Sequence, residues 1–114
     1  MTLKEIVSLL QAEVICENNH LDKTVKYAFA ADLMSDVLRL DTSEMILITG
    51  LANLQTIRTA EMSDISYILF VRDKQISPEM VELAKESNIA LIQCKQSMFR
   101  VCGELYIAGL KPIY

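Results

Sequence analysis

Few side chains in this sequence are equipped for chemistry, and their positions limit what that chemistry can be. Asp32, Asp36 and Asp41 are spaced at four and five. The first two would share a helix face, either as a paired carboxylate for acid–base or metal work or as a helix cap at Asp32 with Asp36 exposed, and capping is the expected role. Thr49-Gly50 is the more informative pair: glycine occurs three times in the chain, and this one stands where backbone must turn sharply or approach a partner. Two readings stand side by side, a tight turn before a helix capped by Asn53 and a floor for a small anion. Arg58, Arg72, Lys74, Lys95 and Arg100 supply cations, as a rim for such an anion or as solvated partners of nearby acids.

Other chemistries are excluded by count and spacing. His20 is the only histidine, so a His-dependent triad or a multi-histidine metal site cannot be assembled. It lies among Asn18, Asn19 and Asp22 and is expected in a surface turn. Cys16, Cys94 and Cys102 form no C-x-x-C pair and sit among apolar residues, as buried free thiols do. Cys94 is next to Lys95 but has no histidine placed to activate it. Neither G-x-x-x-x-G-K nor G-x-G-x-x-G occurs, which removes the standard nucleotide-hydrolysis loops. Tyr27, Tyr67, Tyr106 and Tyr114 are too dispersed for base stacking. No catalytic residue, metal or cofactor is assigned.

The elements that must position these residues follow from periodicity. Thr2-x-x-Glu5 is a capping box, and Leu3, Ile6, Val7 and Leu10 make one apolar stripe behind it. Strands are predicted over 13–16, 25–30, 45–49, 67–71 and 89–93, and helices over 32–40, 53–62, 77–87 and 97–108. Ser77-Pro78 marks a helix start, while Gly109 and Pro112 mark an end. Two segments, 45–48 and 67–71, are apolar on both faces, as strands of a helix-covered parallel sheet are. The expected fold is therefore α/β, a small mostly parallel sheet of four to five strands with helices on both faces. The first strand would either join the sheet edge or form a hairpin with the second.

In an open parallel sheet, ligands collect beyond the carboxyl ends of the strands. That rule selects Asp32 and Ser35, Thr49, Gly50 and Asn53, Arg72, and Lys95 as candidate ligand-binding residues.

With 114 residues, 52% hydrophobic and 23% charged, the chain has the length and composition of one folded domain spanning 1–114, and extended disorder is excluded. No apolar run approaches the roughly 20 residues of a membrane span. The start lacks the features of a secretory signal, so a cytoplasmic location is expected. A net charge of −4 argues against sequence-independent nucleic-acid binding.

The stretch 30–38, with Leu47-Ile48-Thr49-Gly50-Leu51-Ala52-Asn53, Ile57-Arg58-Thr59-Ala60, Ile68-Leu69-Phe70-Val71-Arg72 and the closing Met98-Phe99 to Tyr106, resembles the DRTGG domain family. It is similar to stand-alone members encoded beside iron-hydrogenase components. The D-R-T-G-G pentapeptide itself is absent, its neighbourhood reading Leu69-Phe70-Val71-Arg72-Asp73, so no ligand of that loop is carried over. The resemblance implies an α/β regulatory or dimer-forming module of the kind found beside CBS domains in some pyrophosphatases and in phosphate acetyltransferases, related in shape to the N-terminal domain of HPr kinase/phosphorylase. It brings no catalytic residue.

The function expected from both lines is a non-catalytic regulatory module, a homodimer that docks on a metabolic or redox enzyme and senses a small anionic or nucleotide ligand. The alternative is a pure protein-interaction or scaffold subunit of a hydrogenase-associated redox system without a small-molecule site.

Overall fold

The computed structural model describes residues 1–38, 40 and 43–114. Arg39, Asp41 and Thr42 lie outside the described residues, and with them the third member of the predicted aspartate series.

The chain begins with α1 (Leu3–Leu10), whose predicted capping box is formed. The Thr2 hydroxyl accepts from the Glu5 N–H at 3.1 Å, and the Glu5 carboxylate accepts from the Thr2 N–H at 2.9 Å. The elements β1 (Glu13–Cys16), β2 (Tyr27–Ala30), α2 (Met34–Val37), β3 (Met45–Thr49), α3 (Leu54–Met62) and β4 (Tyr67–Phe70) follow. Then come α4 (Pro78–Glu86), β5 (Ala90–Gln93), α5 (Met98–Ala108) and β6 (Lys111–Pro112). Asn53, Ser77 and Ser97 cap α3, α4 and α5 through their side chains, each accepting the N–H three residues on.

All six strands form one sheet in the order β1-β5-β4-β3-β2-β6. The pairs β2–β3, β3–β4, β4–β5 and β2–β6 are parallel, and β1 closes one edge antiparallel to β5. The α/β class and mostly parallel sheet are as expected. The first strand takes the edge position rather than the hairpin, and the count rises to six through β6. The sequence marks Pro112 as a helix stop. It is instead the edge residue of a two-residue strand, a place where a missing N–H costs no ladder bond.

Strand alternation divides the core into two layers. Ile46, Ile48, Leu69, Val71 and Ile92 face one way, onto α1 and α5 through Leu3, Ile6, Leu10, Val101 and Leu105. Met45, Leu47, Ile68, Phe70 and Leu91 face the other way, onto α2, α3 and α4 through Val37, Ile57, Ala60, Met80 and Ala84. Every residue of β3 and β4 is buried, which is why both strands are apolar apart from Thr49, whose hydroxyl is hydrogen-bonded. Among the described residues no helix is long and apolar enough to cross a membrane.

Two expectations are corrected here. The helix predicted over 32–40 is a single turn, Met34–Val37, and its N-cap is Leu33, with no side-chain cap bond. Asp32 therefore does not cap a helix. His20 is buried, with 2% of its surface exposed. Its Nε2 lies 2.7 Å from the Asn88 carbonyl oxygen and its ring meets Tyr67 edge-on at 5.5 Å, so contacts distant in sequence override the polarity of its turn.

Candidate functional site

Parallel pairing in register brings the candidate residues together. Ala30 pairs with Ile48, so the chain leaving β2 carries Asp32 alongside Thr49 and Gly50. Thr49 pairs with Phe70, so the chain leaving β4 carries Arg72 to the same end. One Asp32 oxygen, Oδ1, accepts from the Gly50 N–H at 2.7 Å and from the Thr49 hydroxyl at 3.0 Å. The other, Oδ2, accepts from Arg72 Nη2 at 3.0 Å. A single carboxylate thus ties together the carboxyl ends of three adjacent strands.

Gly50 is where Arg72 passes. A β-carbon at this position would lie 1.8 Å from Arg72 Nη2 and 2.5 Å from Cζ. The residue is needed for close approach of a side chain from β4, and it does not adopt a left-handed conformation. That conformation is found instead at Arg72 and Asp73, with φ of 66° and 55°. Their N–H groups donate to the carbonyls of Gln96 at 2.9 Å and Cys94 at 3.0 Å, which hold this uncommon turn in place.

The remaining candidates divide. Asn53 uses its side-chain oxygen on the Thr56 N–H at 3.0 Å as the cap of α3, the plainer of the two readings of this loop. Thr56, which the sequence did not bring to attention, is buried and donates its hydroxyl to the Leu51 carbonyl at 2.6 Å. The spacing Asn-x-x-Thr was the available signal for that closed loop. Ser35 is exposed on the turn of α2 and Lys95 is exposed beyond β5, and neither is bonded to the Asp32–Arg72 group. Lys95 lines a separate polar depression with Gln11, Glu13, Asp73 and Gln96.

The Gly50 N–H first, and then Arg72 and Thr49, hold the Asp32 carboxyl below the usual carboxylate range against a partial burial cost. Asp32 is accordingly an anion at neutral pH, set against the Arg72 guanidinium. Both side chains keep nearly half their surface, 46% and 43%. Among the described residues the guanidinium makes no other hydrogen bond, so one of its five N–H donors is engaged by the chain. Burial pushes the Cys16, Cys94 and Cys102 thiols up, away from the thiolate a nucleophile needs. This arrangement can hold and orient charge.

A model of the DRTGG domain matches residues 5–106. The fold is similar to the crystal structure of the CBS and DRTGG domains of the regulatory region of Clostridium perfringens pyrophosphatase, complexed with its activator diadenosine tetraphosphate. The TM-score is 0.79 at 20% identity over 98% of this chain and 48% of that one, so this chain spans about half the length of that structure. No curated protein matches it. The match to nearly the whole chain and the six-stranded α/β fold agree: this chain belongs to the DRTGG domain family.

Proposed function

We propose that this chain is a non-catalytic regulatory domain, a single DRTGG unit over 1–114 that acts as a homodimer and takes up a small anionic or nucleotide ligand at the carboxyl ends of β2, β3 and β4. The observation that carries the reading is the Arg72 guanidinium, seated over Gly50, half-exposed, and bonded within the chain to Asp32 alone at 3.0 Å. An arginine fixed in this way recognises phosphate or carboxylate with little ordering left to do. The pyrophosphatase regulatory region, whose structure contains a nucleotide activator, supports a regulatory role for the family. The partner is read as a metabolic or redox enzyme in the cytoplasm, in keeping with the hydrogenase-associated members that the sequence resembles.

A second reading is favoured by the hydrogen bonding itself. Asp32, Thr49 and Asn53 all use their polar atoms within the chain, as they would if the cluster only fastened three strand ends in a scaffold subunit without a ligand.

Differential scanning fluorimetry against nucleotides and phosphorylated metabolites separates the two. Under the first reading at least one compound raises the melting midpoint of the wild type by mass action and fails to raise that of Arg72→Ala. No shift with any compound removes the ligand and leaves the scaffold.

A further inference from the structure

Helix α5 presents its apolar residues outward as well as inward. Val101 and Leu105 are buried against the sheet. At 3.6 residues per turn, Phe99, Arg100, Gly103, Tyr106 and Ile107 all point within about 60° of Gly103, on the opposite side. Phe99 is 90% exposed, Tyr106 69% and Ile107 88%. The outer face of a surface helix is ordinarily polar. This one carries a single charge, Arg100, already paired with Glu104 on the flank at 3.2 Å.

Gly103 lies at the centre of that face, in mid-helix, where glycine costs about 1 kcal/mol relative to alanine. No atom of the chain lies within 4 Å of where its β-carbon would stand, so nothing within the fold calls for glycine here. A second backbone crossing at close range would.

The order of residues points to what crosses. Two large apolar residues, Phe99 and Ile107, stand four residues to either side of Gly103. A two-fold axis at Gly103 sets these two against each other, apolar on apolar, and makes that contact twice with the roles exchanged. We infer that two copies of this chain pair through α5, antiparallel about a two-fold axis at Gly103. Phe99 of one copy then packs on the partner's Ile107, with Tyr106 and the Arg100 stem along the two flanks of the seam.

At roughly 150–250 Å² per aromatic side chain, Phe99 and Tyr106 together with Ile107 offer on the order of 450 Å² per copy. That is over half of the about 800 Å² per partner in a standard interface. The shallow apolar cavity beside Tyr106, lined by Ala28, Ala30, Cys102 and Pro112, extends the same surface. The inference deepens the homodimer in the proposed function and rests on that part of it.

Sedimentation velocity of the full chain at about 1–100 μM, with Phe99→Glu, Ile107→Lys and the double variant, tests it. The wild type is expected to be dimeric and each single variant at least tenfold weaker in association. The double variant should be dimeric again, because the introduced carboxylate and ammonium meet across the axis. In a Cys102→Ser background, Gly103→Cys should form an intermolecular disulfide under mild oxidation, while Ser8→Cys on α1 should not. This second experiment stands if a charge variant fails to fold. A monomeric wild type overturns both the interface and the homodimer. A dimer indifferent to the single variants and uncrosslinked at 103 overturns the interface alone, and loss without rescue in the double variant overturns the antiparallel register.

Discussion

The guanidinium of Arg72 occupies the space in which a side chain on Gly50 would begin, with Nη2 1.8 Å from an ideal β-carbon there. Because the obstructing group is the end of a flexible side chain, Gly50→Ala is expected to fold, with Arg72 displaced and its bond to Asp32 lost. The cost should be under about 1 kcal/mol, since a half-exposed ion pair contributes little. In an Arg72→Ala background the sign should reverse. Gly50 has no positive φ, so alanine then restricts the unfolded chain and stabilises by about 0.4–1 kcal/mol. A double-mutant cycle by urea denaturation measures this coupling.

Asp32 fastens buried groups as well as an exposed one. Asp32→Ala leaves the hydroxyl of the buried Thr49 and the Gly50 N–H without their acceptor, and a loss of about 1–3 kcal/mol in chemical denaturation is expected. Asp32→Asn keeps an acceptor for both and should cost less, about 1 kcal/mol. Equal losses would mean that the charge, and not the hydrogen bonds, governs the cluster.

Acid should weaken the same cluster. The folded Asp32 carboxyl titrates below its unfolded value of about 3.9, so between the two values the unfolded chain holds a proton that the folded chain does not. The stabilisation is therefore complete above about pH 5 and declines as pH falls through the folded value. Glu5, lowered by the Thr2 N–H and hydroxyl, shifts in the same direction, so the informative quantity is the stability difference between wild type and Asp32→Asn. That difference should be constant from pH 5 to 7 and shrink below pH 4.

His20 fastens the turn after β1 to the corner between α4 and β5, together with Asn18, whose side-chain amide donates to the Ile89 carbonyl at 2.7 Å. His20→Ala removes a buried ring and its bond to the Asn88 carbonyl, for an expected loss of about 2–4 kcal/mol. His20→Phe, which keeps most of the volume and the contact with Tyr67, should lose less. Thermal and urea unfolding of the pair measures both.

What could be read from the residues was what local pattern determines. The apolar runs of β3 and β4 announced strands covered on both faces, and Thr2 with Glu5, Ser77 with Pro78 and Ser97 announced three helix starts. The glycine at 50 stood out as either a sharp turn or a close approach, two readings that its local sequence does not separate. That its neighbour is Arg72, and that Asp32 joins both, depends on the register of β2, β3 and β4, which no local signal carries. The same reason explains the errors. His20 looks polar in its turn but is enclosed by Asn88 and Tyr67, and Asp32 looks like a helix cap but finds its donors 17, 18 and 40 residues away. β6 is two residues long and contains a proline, too short for any periodicity.

Whether the ends of β2, β3 and β4 form an anion-responsive regulatory site is tested most directly by calorimetric titration of the full chain with diadenosine tetraphosphate, ATP, AMP and inorganic pyrophosphate, in wild type and Arg72→Ala. Saturable binding of at least one compound is expected, weakened tenfold or more without the guanidinium, which corresponds to about 1.4 kcal/mol. Binding of equal strength in both proteins, or none in either, would contradict it.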